Sequence, residues 1–239
     1  MRAKLLNPPH IGIDLIGSDL APSQIIEAVW ELKKELSDPV RFTLFGTKEI
    51  SSYFSKNKDT NISFFPSTVS ITMGDNPLWA IRRKQDSSLC QGIFFLQKNK
   101  IDAFVSAGNT GALLSAAKMF LPPLPGISRP ALLALLPTKK GYMAVLDVGA
   151  NLSCPKKQLV QFALLGIAFQ KARGIEKPSI GLLNIGSEEM KGTVEIRKAY
   201  QELVEKSKES SHFSFAGNIE GKDAFEGLVD VLITDGFTG

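Results

Sequence analysis

The chain has 239 residues, 44% hydrophobic and 22% charged, which is the balance of a globular protein able to bury a sizeable core in one large α/β domain or two interleaved lobes. A formal net charge of +4 with no long basic run excludes a nucleic-acid binder and suits anionic partners: phosphate, an acidic carrier protein or anionic headgroups. Two cysteines make neither a disulfide framework nor a metal knuckle, the first residues lack a signal-peptide core and no apolar run reaches bilayer length, so a cytoplasmic protein is expected.

The elements alternate. "HIGIDLI" (10–16) reads as a strand, and "APSQIIEAVWELKKEL" (21–36) as a helix with Pro22 near its start and Ile25, Ile26, Val29 and Leu32 on one face. "RFTLFG" (41–46) is a strand, Thr47 is placed to cap the next helix, and "NISFF" (61–65) and "VSIT" (69–72) are strand-like. Residues 76–85 and 87–100 read as helices, 101–106 as a buried strand, and a helix opens at about Thr110. "ALLALLP" (131–137) and "YMAVLDV" (142–148) have strand length. Residues 155–174 form an amphipathic helix burying Leu159, Phe162, Leu165, Gly166 and Phe169 and ending at Gly174. "SIGLLNI" (179–185), a helix from about Met190 to Lys206, "FSFAG" (213–217) and "DVLITD" (230–235) complete the series. Strands apolar throughout and separated by helices predict a mainly parallel sheet covered by helices on both faces. The Pro-rich stretch at 120–130 marks the expected lobe boundary, and the stop straight after an apolar strand suggests that a covering helix follows in the natural protein.

Ligands of open α/β sheets sit outside the carboxyl ends of the strands. There the sequence reads "DLIGSD", "AGNTG", "DVGAN", "NIGSEEMKG", "GNIEG" and "DGFTG". Glycine lets backbone N–H groups approach a ligand closely, and a helix N-terminus favours an anion. Turns and caps use the same residues for their own sake, but six such loops on one sheet edge favour an anion cradle. Gly181 to Ser187 has Walker A glycine spacing without the lysine, and no G-x-G-x-x-G follows the first strand. His10 and His212 sit in no motif, which argues against a triad, and no His/Cys cluster offers a metal site; no metal and no cofactor are expected. Cys154, without a histidine, reads as a plain reduced cysteine. Lys191, in an acidic Gly-rich loop, is either a solvated lysine or an anion ligand. Arg82 and Lys84 are either a charged helix face or contacts to phosphate or an acidic partner.

"SAGNTGALL", "RPALLALLP", "LDVGAN", "QFALLG", "LLNIGSEEMKG", "GNIEG" and "DVLITDGFTG" occur in the order seen in the PlsX family of bacterial phosphate acyltransferases. "AIRRKQDSSL" and "DLIGSDLAP" are similar to that family's Ala-x-Arg-x-Lys-x-x-Ser-Ser and Asp-x-Met-Gly-Gly-Asp-x-Ala-Pro stretches, and the likeness runs from Ile11 onward. Gly17-Ser18 replaces Gly-Gly, and Gly74 stands where the family carries Asp, so no carboxylate role is carried over there. The resemblance implies an isocitrate/isopropylmalate dehydrogenase-like fold: one large Rossmann-like acyltransferase domain over 1–239, lacking its C-terminal helices. It implies acyl transfer from acyl-[acyl carrier protein] to inorganic phosphate, giving acyl phosphate for phospholipid synthesis. It also implies a homodimer, peripheral contact with the inner face of the membrane, and delivery to a glycerol-3-phosphate acyltransferase.

On that basis Gly108, Asn109, Thr110, Gly111, Asn151 and Gly186 are expected to bind phosphate. Lys191 is expected to neutralise phosphate or the oxyanion, Asn184 and Asn218 to position reactants, and Asp235 to orient its loop. Competing readings are a phosphotransacetylase-like acyl-CoA:phosphate transferase, a non-catalytic phosphate- or nucleotide-binding module, and a dehydrogenase sharing the fold.

Overall fold

A computed structural model describes residues 8–55 and 59–239; the opening residues 1–7, read as free of a signal-peptide core, lie outside the described residues. The chain divides into two compact units, one up to Pro122 and the other from Pro123 onward.

The first unit runs β1 (His10–Asp14), α1 (Pro22–Glu35), β2 (Arg41–Thr47), a 3-10 turn (Lys48–Ser51), α2 (Ser52–Ser55), β3 (Ile62–Ser67), α3 (Pro77–Arg83), α4 (Ser88–Gln97), β4 (Ala103–Val105) and α5 (Thr110–Phe120). Its sheet has the order β3-β2-β1-β4, and every pairing is parallel. Residues alternate between the faces of a strand, so on β2 Phe42 and Leu44 join Ile26 and Val29 of α1 in one core. Phe45 points the other way and meets Phe95 of α4 edge-on at 5.1 Å.

The second unit runs β5 (Leu133–Thr138), β6 (Gly141–Leu146), α6 (Lys156–Ala172), β7 (Ser179–Asn184), α7 (Val194–Glu209), β8 (Ser214–Glu220), a 3-10 turn (Gly221–Glu226) and β9 (Val231–Ile233). Its order is β5-β6-β9-β7-β8; β5 and β6 form an antiparallel hairpin and the other pairings are parallel. Helices α6 and α7 pack on the face made by Ala144, Leu146, Ile180, Leu182, Val231 and Ile233. The opposite face (Met143, Val145, Ile219, Leu232) is closed by Ala224 and Val229.

Helix α6 buries Leu159, Phe162 and Gly166 and half-buries Leu165 and Phe169, the stripe expected from its spacing. Gly166 is where helix and strand come closest: a Cβ there would lie 2.4 Å from Val231 Cγ1. Gly166→Ala gains helix propensity of about 1 kcal/mol yet forces a β-branched core residue aside, which costs about 1–3 kcal/mol. The expected outcome is a lower urea midpoint by far-UV circular dichroism.

Four local expectations change. Thr47 precedes only the 3-10 turn Lys48–Ser51, and its side chain makes no capping bond there. Residues 69–72 are not a strand: apart from an isolated bridge of Val69 to Ser87, side chains take their polar groups, Lys84 donating to the Ser70 carbonyl and Asp75 accepting from the Thr72 N–H. The helix expected from Met190 starts only at Val194, capped by Thr193, because Gly192 adopts a φ of 83°. "GNIEG" is no turn, since Gly217 to Glu220 lie within β8. Gly217 has a φ of 89° beside the register shift at Ile180/Gly181, a bulge whose residues resemble a turn.

Candidate active site

The strand-end loops expected on one sheet edge belong to two sheets. Those after β1 and β4 lie in the first unit and the others in the second.

In the first unit the turn between β4 and α5 is built around two buried side chains. Asn109 caps α5 by accepting from the Ala112 N–H at 3.0 Å. Its amide N–H groups face three carbonyls, Thr72, Met73 and Asp75, each at 3.2 Å, and so tie the turn to the loop before α3. Asp14 closes β1. Its Oδ1 accepts from the Ile16 N–H at 3.1 Å and its Oδ2 from the Ser106 hydroxyl at 2.9 Å, while Ser106 Oγ in turn accepts from the Gly108 N–H at 3.2 Å. Burial pushes the Asp14 pKa above the ordinary carboxylate value, and bonds from Ser88, Ile16 and Ser106 only partly offset this. Gly17 is required by space: its φ is 89° and a Cβ would lie 2.7 Å from the Ile71 carbonyl oxygen.

What this framework leaves open is the start of α5. Thr110 is exposed, and neither its hydroxyl nor the N–H groups of Thr110 and Gly111 have a partner among the described residues. Lys84 is committed elsewhere, to Asp75 at 2.6 Å and the Ser70 carbonyl at 3.0 Å, whereas Arg82 is exposed.

In the second unit Asp147, fully buried, accepts four hydrogen bonds. Leu132 N–H (2.9 Å) and Ala150 N–H (3.0 Å) reach Oδ1; Asn151 N–H (2.7 Å) and Asn151 Nδ2 (2.9 Å) reach Oδ2. Asn151 also donates to the Pro130 carbonyl at 2.9 Å and accepts on its own carbonyl from Gly236 N–H at 2.8 Å. The next loop, 185–192, is gripped at three points. Asn184 donates to the Lys191 carbonyl at 3.0 Å, Asn218 to the Glu188 carbonyl at 2.9 Å, and Arg197 to the Gly192 carbonyl at 3.1 Å. Asp235 accepts from Thr238 N–H at 2.9 Å. The Oδ1 of Asn218 is buried and unpartnered. On this loop Lys191 is exposed, and its ammonium has no acid or hydrogen-bond partner among the described residues despite Glu188 and Glu189 nearby in sequence. Gly186 is buried against its stem: a Cβ there would lie 3.1 Å from Lys191 Cγ.

The four asparagines thus hold loops with their amide hydrogens. The groups left open are, in the turn of the first unit, the Thr110–Gly111 N–H pair and the Thr110 hydroxyl, and, in the 185–192 loop of the second unit, the Lys191 ammonium. Asp14, Ser106, Asp147 and Arg197 are parts of the framework that sequence reasoning missed; an aspartate closing an otherwise apolar run was the available signal for two of them.

Cys154 is buried, its Sγ donating to the Asn151 carbonyl at 3.5 Å. Burial, then Asp147 and Asp235, push its thiol up to about 11. Such a thiol is a poor nucleophile near neutral pH. At pH 8 its thiolate fraction is lower than that of an ordinary thiol by about 100-fold, so Cys154 should react with iodoacetamide far more slowly in the folded protein than in urea. The unfolded chain releases this proton first. The stabilisation from keeping the thiol neutral is therefore complete below about pH 9 and is lost as pH rises towards about 11.

The fold defines the class first. The structure matches the EutD phosphotransacetylase of Staphylococcus aureus with a TM-score of 0.66, covering 95% of this chain and 77% of that one at 17% identity. It is therefore an α/β protein with the phosphotransacetylase fold. The particular family follows from sequence: residues 10–239 match the fatty acid synthesis protein family, and the chain belongs to it, the PlsX family of acyl-transferring enzymes. A phosphate acyltransferase of Chlamydia pneumoniae is 43% identical over 239 residues, spanning 96% of this chain and 73% of the relative. One from Thermoanaerobacter pseudethanolicus is 40% identical over 231 residues, spanning 96% and 68%.

Proposed function

We propose that this chain transfers a fatty acyl group from acyl-[acyl carrier protein] to inorganic phosphate, giving acyl phosphate for phospholipid synthesis. The observation that carries this reading is the 43% identity, over 96% of the chain, to a protein named phosphate acyltransferase. The chemistry suits the residues. Phosphate near neutral pH already bears an anionic oxygen, so the reaction needs a positioned nucleophile and donors for the oxyanion rather than a histidine base. A phosphate oxygen attacks the thioester carbon, the carbon–sulfur bond breaks as the carbon–oxygen bond forms, and the proton of hydrogen phosphate ends on the carrier thiol.

The open N–H groups of Thr110 and Gly111 and the Thr110 hydroxyl are assigned to phosphate, on a turn shaped by Gly108 and Asn109. Lys191 is assigned to the developing negative charge, with Gly186 seating its stem. Asn184, Asn218, Asn151 and Asp235 hold the loops of the second unit in place. The protein is read as a cytoplasmic homodimer that touches the membrane peripherally and passes its product to a glycerol-3-phosphate acyltransferase. No helix among the described residues is long and apolar enough to cross a membrane.

The test is phosphate-dependent release of free thiol from acyl-carrier protein, with acyl phosphate trapped by hydroxylamine as the hydroxamate. Thiol release that ignores phosphate overturns the reading. The phosphotransacetylase fold favours a second reading, acyl-CoA as donor, and turnover with acyl-CoA but not with the carrier-bound acyl group would select it.

A further inference from the structure

We propose that the exposed face of α3 is the docking surface for an acidic, acyl-carrying protein. The proposal rests on the carrier-bound donor of the preceding reading. In this seven-residue helix Ala80 and Ile81 are fully buried, while Leu78 is 55% and Trp79 54% exposed and Arg82 and Arg83 are exposed. Spacings of three and four residues put Leu78, Trp79, Arg82 and Arg83 on one side of the helix. Neither guanidinium has an acid or hydrogen-bond partner among the described residues. The neighbouring acids are already occupied: Asp75 by Lys84 at 2.6 Å, and Asp86 by the Thr68 hydroxyl and Gln91. The face is therefore a half-exposed leucine and indole, the latter with the Lys84 ammonium 6.0 Å from its ring centre, beside two unneutralised cations. Tryptophan and arginine are the side chains that dominate binding hot spots, and the charge selects an acidic partner.

The position of α3 connects this face to the phosphate turn. The loop from Thr72 to Asp75 that leads into α3 is the one held by the Asn109 amide. Pro77, the first residue of α3, touches the turn itself, since a Cβ on Gly111 would lie 2.8 Å from Pro77 Cγ. A partner seated on α3 therefore presents its thioester beside the Thr110–Gly111 N–H groups. The helix is only about 10 Å long, so the contact is small, and small interfaces belong to transient complexes. A carrier that must leave after each transfer needs that property. Lys84, expected from sequence to share the contact, is an internal strut, and Arg83 takes its place.

The experiment compares donors of different size. Trp79→Ala combined with Arg83→Glu should raise the KM for acyl-carrier protein by about 10-fold or more, leaving KM and kcat for acyl-pantetheine, which has no protein to dock, at wild-type values. Arg83→Lys alone should keep most of the carrier affinity. Direct titration with unacylated carrier protein should show the same loss of binding in the double variant, independently of turnover. Equal losses with both donors, unchanged carrier affinity, or a change only in the oligomeric state of the double variant would each overturn the docking face. A wild-type enzyme that makes no acyl phosphate from either donor would instead overturn the functional reading, while the titration still decides the docking one.

Discussion

Lys191→Ala should reduce turnover by on the order of 10²-fold or more, comparable to removal of an oxyanion-hole donor, without unfolding the protein. That factor corresponds to about 2.7 kcal/mol of transition-state stabilisation. The side chain is exposed and unpaired, so its loss breaks no contact of the ammonium. Its backbone stays where Asn184 holds it, because that bond is to the Lys191 carbonyl and survives truncation. Activity and stability should therefore separate: initial rates fall while the thermal transition stays put. Lys191→Arg keeps the charge and should recover part of the rate. Wild-type kcat for Lys191→Ala would remove Lys191 from the chemistry.

The sequence made the scaffold readable because its strands are short, mostly apolar runs separated by helices, and because α6 carries its apolar residues at helical spacing. Legibility failed where one residue type serves two geometries. Gly217 and Asn218 have the composition of a turn, yet the positive φ of Gly217 belongs to a bulge inside β8. Asn109, Asn151, Asn184 and Asn218 stand where ligand-binding amides would stand. Whether an amide faces a ligand or a carbonyl depends on loops far away in the chain, such as the Thr72 carbonyl for Asn109 and the Glu188 carbonyl for Asn218. Lys84 and Lys191 look alike as charges in sequence; only the fold gives Asp75 to one and leaves the other unpaired. The division of the strand-end loops between two sheets is equally invisible in a one-dimensional alternation of strands and helices.

Asp147 shows how much of the second unit depends on one buried carboxylate. Asp147→Ala removes the acceptor for three backbone N–H groups and one amide in a place with no solvent exposure. Each stranded buried donor costs about 1–3 kcal/mol, and the donors share one site, so the losses do not add fully. A destabilisation of roughly 4 kcal/mol is expected, a large part of the 5–15 kcal/mol that typically holds a domain together. Asp147→Asn should not rescue it, because one of its two positions becomes a donor facing other donors. Tryptophan fluorescence is the wrong probe: both tryptophans, Trp30 and Trp79, lie in the first unit. The effect should appear in far-UV circular dichroism and in faster hydrogen exchange at the Leu132, Ala150 and Asn151 amides. Protection of those three amides unchanged in Asp147→Ala would mean that the remaining bonds, among them Asn151–Pro130, Gly236–Asn151, Asp147–Thr234 and Val148–Leu132, hold the loop without it, and that the buried carboxylate is dispensable.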